Sequence, residues 1–156
     1  MRLDGRFSVQ AGQAEVYDLL TDPRRVSRFM PDVKTVEIQD ADHFTVTARV
    51  GIAHIKGTMV MKLTISNRNP PISTVMSGQG TGMASMIDMV TSFTLETGGS
   101  GETIVNWTGD VNVAGKLAAF GSQGLLDRIG KKNVEKFIDG IKAGIEKLPA
   151  APHPVG

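Results

Sequence analysis

The sequence predicts an α+β fold in which an antiparallel sheet grips one long C-terminal helix. Two observations carry this. From residue 2 to about 114 the chain reads as strand, turn, strand, with one short helical stretch early on, and the strands alternate apolar and polar residues. The last third then runs from strand-like residues 102–113 through Val113-Ala114-Gly115-Lys116-Leu117 into one apolar-periodic helix reaching about Leu148. Folds with that order of elements often enclose a cavity.

Each element has its own signal. Residues 2–10 alternate, with Leu3, Phe7 and Val9 on one face, and Ala11-Gly12 turns the chain. Ala14 to Leu20 places Val16, Leu19 and Leu20 at helical spacing. Thr21-Asp22-Pro23 stops that helix, and Pro23 starts a short second one through Phe29. Strands follow in meander order at about 33–39, 43–51, 54–66, 72–79, 83–96 and 102–114. The breaks between them include Asp40-Ala41-Asp42, Asn67 to Pro71, Gly80-Thr81-Gly82 and Gly98 to Gly101, each a turn by composition. Phe44, Val46, Ala48 and Val50 share a face, as do Ile55, Met59, Met61, Leu63 and Ile65, and Val105, Trp107, Val111 and Val113. The opposite faces are polar, so the sheet buries one side and wets the other.

The long helix is not uniform. At about 100° per residue, Val134, Phe137, Ile138, Ile141, Ile145 and Leu148 form one stripe. Leu125, Leu126 and Ile129 fall away from it. Gly121, Gly124 and Gly130 flank the mismatch, and each weakens a helix by about 1 kcal/mol relative to alanine. The pattern predicts a kink or frayed turn between about 121 and 130, or a second surface for Leu125 and Ile129. The glycines serve either close packing on the sheet or a movable gate at Gly121 and Gly124.

Composition bounds the function. At 156 residues the chain fits one domain, residues 1–148, with a Pro-rich flexible tail at 149–156. Net charge is +1, which gives no global argument for nucleic acid. There is no cysteine, hence no disulfide framework and no thiolate metal site. Met1 to Arg6 lacks the apolar core of a signal peptide, and no apolar run is long enough to span a membrane. Aromatic content is only 5%, whereas methionine, which adapts to irregular space, occurs eight times.

Several motifs occur together: Asp22-Pro23, Met30-Pro31, Val50-Gly51, Ile55-Lys56-Gly57, Pro70-Pro71, Gly78-Gln79-Gly80-Thr81-Gly82, and the run Val113 to Ser122. In order and spacing they resemble the CoxG family of carbon monoxide dehydrogenase subunits, within the START-like (SRPBCC) superfamily. Gly115-Lys116-Leu117-Ala118-Ala119-Phe120-Gly121-Ser122 is the most specific of them. The resemblance spans about residues 1–147. It implies a START-like helix-grip: a seven-stranded antiparallel sheet wrapped around the long C-terminal helix, with an apolar cavity between them. It also implies an accessory role beside a molybdenum-containing CO dehydrogenase or related hydroxylase, with attachment to the membrane. Relatives often continue into a proline-rich linker and an apolar anchor. The residues to Gly156 contain no such anchor, so a cytoplasmic protein with peripheral contact to the inner face of the membrane is expected.

The candidate ligand cavity is the methionine set. Met59, Met61, Met76 and Met89, joined by Phe93, Trp107, Phe120 and Leu125, lie where they would line a long apolar pocket; Met83 is placed on a neighbouring strand. The alternative is a methionine-rich core. Thr74, Thr91 and Gln123 are the polar residues best placed to fix a ligand's polar end. Apolar walls with few polar anchors suit an isoprenoid quinone or a lipid. A second candidate is the tip Arg24, Arg25, Arg28, Phe29 and Met30, three cations beside two apolar residues, for membrane or partner contact; the alternative is a solvated helix face over a packed Phe29. The helix lysines alternate with Glu135, Asp139 and Glu146 and read as salt-bridged surface.

Catalysis is poorly supported. His43, His54 and His153 lie in or beside turns and in the tail, none at ligand spacing with another His or a carboxylate. Asp127 is in phase with the buried stripe and is either an acid in a pocket or a cap on a nearby amide. The Gly-x-Gly-x-Gly run joins two strands and opens no helix, so it is not a phosphate loop. The sequence thus points to a non-enzymatic carrier of a hydrophobic small molecule, with no metal and no covalent cofactor. A structural adaptor that recruits the dehydrogenase to the membrane, and a cyclase- or hydratase-type enzyme, are the alternatives.

Overall fold

The computed structural model describes residues 1–52, 55–120 and 123–146. Strand β1 spans Arg2–Val9 and is followed by helices α1, Gln13–Leu20, and α2, Pro23–Val26, the latter continuing as a 3-10 turn at Ser27–Phe29. Strands β2 (Val33–Ile38), β3 (His43–Ile52), β4 (Ile55–Asn69), β5 (Ser73–Gly82), β6 (Ser85–Thr97) and β7 (Thr103–Gly115) come next, with a 3-10 turn at Gly99–Gly101. Helices α3, Lys116–Phe120, and α4, Gln123–Glu146, end the described residues.

All neighbouring strands pair antiparallel, in the order β1-β7-β6-β5-β4-β3-β2. The alternation of the sequence sets the register, because a slip of one residue would turn every apolar side chain to water. Two inward rows illustrate this. Phe44, Leu63, Gly78, Met89 and Val111 face one another across β3 to β7, and beside them lie Val46, Met61, Gly80, Ile87 and Val113.

Helix α1 buries Val16, Tyr17, Leu19 and Leu20 against one end of the sheet. Its polar residues fasten that end. Gln13 Nε2 donates to the Pro71 and Leu95 carbonyls at 2.9 and 3.2 Å, and the Tyr17 hydroxyl donates to the Ser73 carbonyl at 3.0 Å. Asp22 caps α2 by accepting from the Arg24 N–H at 3.0 Å, with Pro23 in the first turn.

The structure corrects the sequence reading in two places. Gly80-Thr81-Gly82 is strand, not turn: Gly78, Gly80 and Gly82 all project inward from β5, and the reversal falls on Met83 and Ala84, both at φ 55°. Met83 is therefore a turn residue, not a strand residue. Strand β4 continues past Ser66 to Asn69 because a bulge, with Asn67 at φ 51°, absorbs the break in register. Residues 53–54, residues 121–122 between α3 and α4, where part of the expected kink falls, and residues 147–156 lie outside the described residues.

Gly115 is the point where β7 hands over to α3. It sits at φ +88°, and a Cβ there would collide with the Ala84 carbonyl oxygen. Gly115→Ala is expected to lower stability by about 1–3 kcal/mol in urea denaturation. Gly99→Ala, where a Cβ meets open space, should stay within about 0.5 kcal/mol.

Candidate functional site

Two apolar clusters fill the space between sheet and helices. The larger joins Phe7, Val9, Val105, Phe93, Leu95 and the buried face of α1 to Ile141 and Ile145 of α4. The smaller centres on Met59 and Leu117 and gathers Val50, Met83, Ile87, Val113, Leu125, Leu126 and Ile129. This second cluster is what Leu125 and Ile129 face, and it explains why they leave the main helical stripe. Among the described residues of that stripe Val134, Phe137 and Ile138 are half-buried, and Ile141 and Ile145 are fully buried.

Between the clusters the inward face of the sheet is not sealed. Met61, Ile87, Met89, Thr91, Trp107, Val111 and Val113 all point inward from mid-strand, yet each is only partly buried. Phe93 and Leu95, further along β6, are buried. The partly buried positions therefore lie in the half of the interior nearer the β7–α3 junction.

Glycines form the floor of this region, and long side chains lie across them. A Cβ on Gly80 would strike Met61 Sδ; one on Gly78 would meet Leu63 Cδ2 at 2.6 Å and Met89 Cγ at 3.2 Å. Met83 lies over Gly57 in the same way, its Sδ 2.8 Å from the position of a Cβ. The Trp107 indole rests on Gly5, its partner across β1 and β7, with Cζ2 2.8 Å and Nε1 2.9 Å from where a Gly5 Cβ would stand. Gly109 leaves room on the other side, since a Cβ there would meet Thr91 Oγ1 only at 3.5 Å and the indole Cζ3 at 3.9 Å.

One end of the sheet carries a small pocket. The β3–β4 end, the β5–β6 turn and the β7–α3 junction meet there, and Ile55, Met83, Ala84, Lys116 and Leu117 line a pocket of about 250 Å³. Ser85 ties it together: its Oγ accepts from the Leu117 N–H at 2.8 Å and donates to the Met83 carbonyl at 3.1 Å. A larger depression of about 460 Å³ lies on the opposite, outward face, lined by Asp4, Arg6, Ser92, Thr94, Asn106 and Thr108 over the backbone of Gly5 and Trp107. Its polar rim and position on the wet side make it unsuited to an apolar ligand. The smaller pocket shares Met83 and Leu117 with the Met59–Leu117 cluster.

Of the predicted cavity residues, Met59, Met76 and Phe93 are fully buried, whereas Met61, Met89, Trp107 and Leu125 are half-buried on the inward side. Gly124 stands in the first turn of α4; Gly121 and the side chains of Phe120 and Gln123 lie outside the described residues. Thr74 is not available as a polar anchor, because its hydroxyl donates to the Ser66 carbonyl at 3.0 Å. Thr91 faces the open region half-buried. At the tip, Arg24 and Arg28 are exposed and Arg25 is half-buried. Phe29 and Met30 instead pack on the core, Phe29 lying with its ring against Gly140 and Gly144.

Two groups stand out that the sequence could not single out as a pair. Trp107 Nε1 and Asp127 Oδ1 are buried without a hydrogen-bond partner. His43 opens β3 beside the turn at Asp40, its Nδ1 lies 2.8 Å from Asp40 Oδ1, and that hydrogen bond is the first cause holding the Asp40 carboxyl below its usual range. Among the described residues no group of three or more His, Asp or Glu is placed to hold a metal ion.

A seven-stranded antiparallel sheet closed by a long C-terminal helix defines a START-superfamily fold. The chain superimposes on a START superfamily protein from Mycobacterium smegmatis with a TM-score of 0.75 at 12% identity, over 95% of this chain and 99% of that one. A conserved protein from Geobacillus kaustophilus gives a TM-score of 0.86 at 24% identity, covering 94% and 96%. Zhui aromatase/cyclase from Streptomyces sp. R1128 gives 0.68 at 16%, covering 97% and 98%. No curated protein matches the chain. The sequence profile of CoxG, the G subunit of carbon monoxide dehydrogenase, matches residues 5–146, and the chain belongs to that family. Among the described residues no helix is long and apolar enough to cross a membrane.

The Gly5–Trp107 contact is directly testable. In Gly5→Ala the indole has to move toward the space beside Gly109. A shift of the emission maximum, together with a loss of about 1–3 kcal/mol of stability, is expected. An unchanged spectrum would mean that the ring does not rest on Gly5.

Proposed function

We propose that this protein carries a hydrophobic small molecule, an isoprenoid quinone or a lipid, between its sheet and α4, as the non-enzymatic accessory of a CO dehydrogenase-type molybdoenzyme. The observation that carries the reading is the half-open inward face, where Met61 and Met89 lie over Gly80 and Gly78. Methionine side chains are unbranched and change rotamer readily, so they can swing aside for a ligand and close behind it. Burial of each methylene of a ligand tail contributes about 0.8 kcal/mol, so a few isoprene units suffice against the ordering cost. Membership of a dehydrogenase-subunit family supports the choice of partner. The aromatase/cyclase neighbour keeps an enzymatic alternative in view, but its likeness to this chain is one of fold.

Mass spectrometry of an organic extract of the purified protein tests the carrier against an adaptor without ligand: a stoichiometric lipid or quinone is expected. Trp107, the single tryptophan, borders the open region. A short-tailed quinone should quench its emission saturably, and Met61→Phe or Met89→Phe should weaken that titration. No saturable signal with several tail lengths, and no heat of binding, would sink the quinone reading. Binding of fatty acids alone would keep the carrier and change its cargo. The same signal in stopped flow reads the proposed gate: Gly124→Ala should slow exchange if the start of α4 moves.

Contact with the membrane, on this reading, is electrostatic and peripheral. Arg24, Arg25 and Arg28 remain as cations, while Phe29 and Met30 are engaged in the fold. Binding to vesicles should require anionic lipid and fade as salt rises from 0.1 to 1 M, where the Debye length falls from about 10 Å to about 3 Å. Replacing the three arginines together should abolish it; equal binding to neutral vesicles would count against the tip.

A further inference from the structure

Every buried side-chain hydrogen-bonding atom in a folded protein normally finds a partner. Trp107 Nε1, a donor, and Asp127 Oδ1, a carboxylate acceptor, do not. Both belong to the same flank of the interior. Trp107 rests on Gly5 of β1, and Gly130, one turn after Asp127, rests on Leu3 and Met1 of the same strand end. Leu3 and Gly5 share the inward face. Three residues of helix and two of strand put Asp127 and Trp107 on the order of 10 Å apart along the interior. Two hydrogen bonds of about 2.8 Å, one at each side of a six-membered ring, span a gap on that order.

We infer that Asp127 and Trp107 are the polar anchors of the ligand, and that they select a lipophilic molecule bearing a ring hydroxyl, a phenol or hydroquinone, over its oxidised or alkylated form. The inference rests on the carrier reading above and adds the ligand's polar pattern. Asp127 accepts from the ring hydroxyl. Trp107 donates to an oxygen on the far side of the ring. A quinone offers only acceptors, so its carbonyl would face the Asp127 carboxylate oxygen with no proton between them. A methyl ether likewise has no proton to give. Val111 on the same inward face is apolar, and Thr91, whose Oγ1 lies 3.5 Å from where a Gly109 Cβ would stand, is the other polar side chain beside the ring.

The test is calorimetry on the full chain with three probes: a short-tailed hydroquinone kept reduced under argon, its dimethyl ether, and the corresponding quinone. The hydroquinone should bind the native protein about tenfold tighter than either of the others. Asp127→Leu should erase that preference and, because it removes an unpartnered buried polar atom, leave the thermal midpoint of the unliganded protein equal or higher. Asp127→Asn adds an N–H donor and should move the preference toward the quinone. Trp107→Phe should weaken all three probes, since each has an oxygen to accept. No preference in the native protein, or a preference that survives Asp127→Leu and Asp127→Asn, overturns the assignment while leaving the carrier intact. If no probe binds, and fatty acids do not bind either, the carrier reading itself fails.

Discussion

One helix is too narrow to cover seven strands, and much of the architecture answers that mismatch. Strands spaced at about 4.8 Å make a sheet roughly 29 Å wide, whereas a helix with its side chains is about 10–12 Å across. The inward face of this sheet is apolar across most of that width, so the uncovered part needs other cover. At one end α1 supplies it, anchored by Gln13 and Tyr17 to backbone carbonyls of the β4–β5 turn, β5 and β6. At the other end α3 supplies it, with Leu117 buried and Ser85 fastening the junction. The middle is covered by the sheet's own long side chains, laid flat over glycines.

That last device has a physical consequence. A floor of Gly78 and Gly80 under Met89 and Met61 fills the space without a rigid jigsaw of branched residues. A core packed with leucine and isoleucine resists change because each side chain has few rotamers and many neighbours. Methionine over glycine resists less, since the thioether arm can leave and a flat backbone strip remains beneath it. Adaptable space is then a property of two aligned strand patterns, alternate glycines on β5 and methionines on β4 and β6, held in register by the ladder. Neither pattern alone would create it.

Much of the fold was legible because alternation is a direct image of a half-buried sheet. Val46-x-Ala48 and Met59-x-Met61-x-Leu63 could hardly point elsewhere. The five-residue run Gly78 to Gly82 misled for the same reason: glycine signals a turn by conformational freedom, yet here it serves close approach of side chains from neighbouring strands. Conversely Met83 and Ala84 gave no turn signal, although both adopt positive φ, a conformation for which Asn and Gly are preferred. The candidate site was only partly legible. Its apolar members could be read from strand phase. The inward packing of Phe29 against Gly140 and Gly144 could not, because it depends on how α4 crosses the 3-10 turn more than a hundred residues earlier. The engagement of Thr74 with Ser66 was hidden likewise, being a contact between neighbouring strands next to a bulge.

The orphaned pair carries the argument from packing to function. An unsatisfied buried polar atom costs about 1–3 kcal/mol, and apolar replacements of suitable shape at Asp127 and Trp107 would relieve it. A sequence under selection for stability alone would drift toward those replacements. Keeping a carboxylate and an indole N–H without partners makes physical sense where a partner arrives from outside and restores the missing hydrogen bonds on binding. Strain of this sort belongs with Met83 and Ala84 at the small pocket, two further positions held in a conformation their side chains disfavour. The unpartnered pair thus lies on the flank between α4 and β1, while the α1 end of the interior is buried and held by the hydrogen bonds of Gln13 and Tyr17. The α1 end contributes burial and satisfied hydrogen bonds, and the flank that leaves polar atoms unpartnered is where the proposed ligand would supply the missing partners.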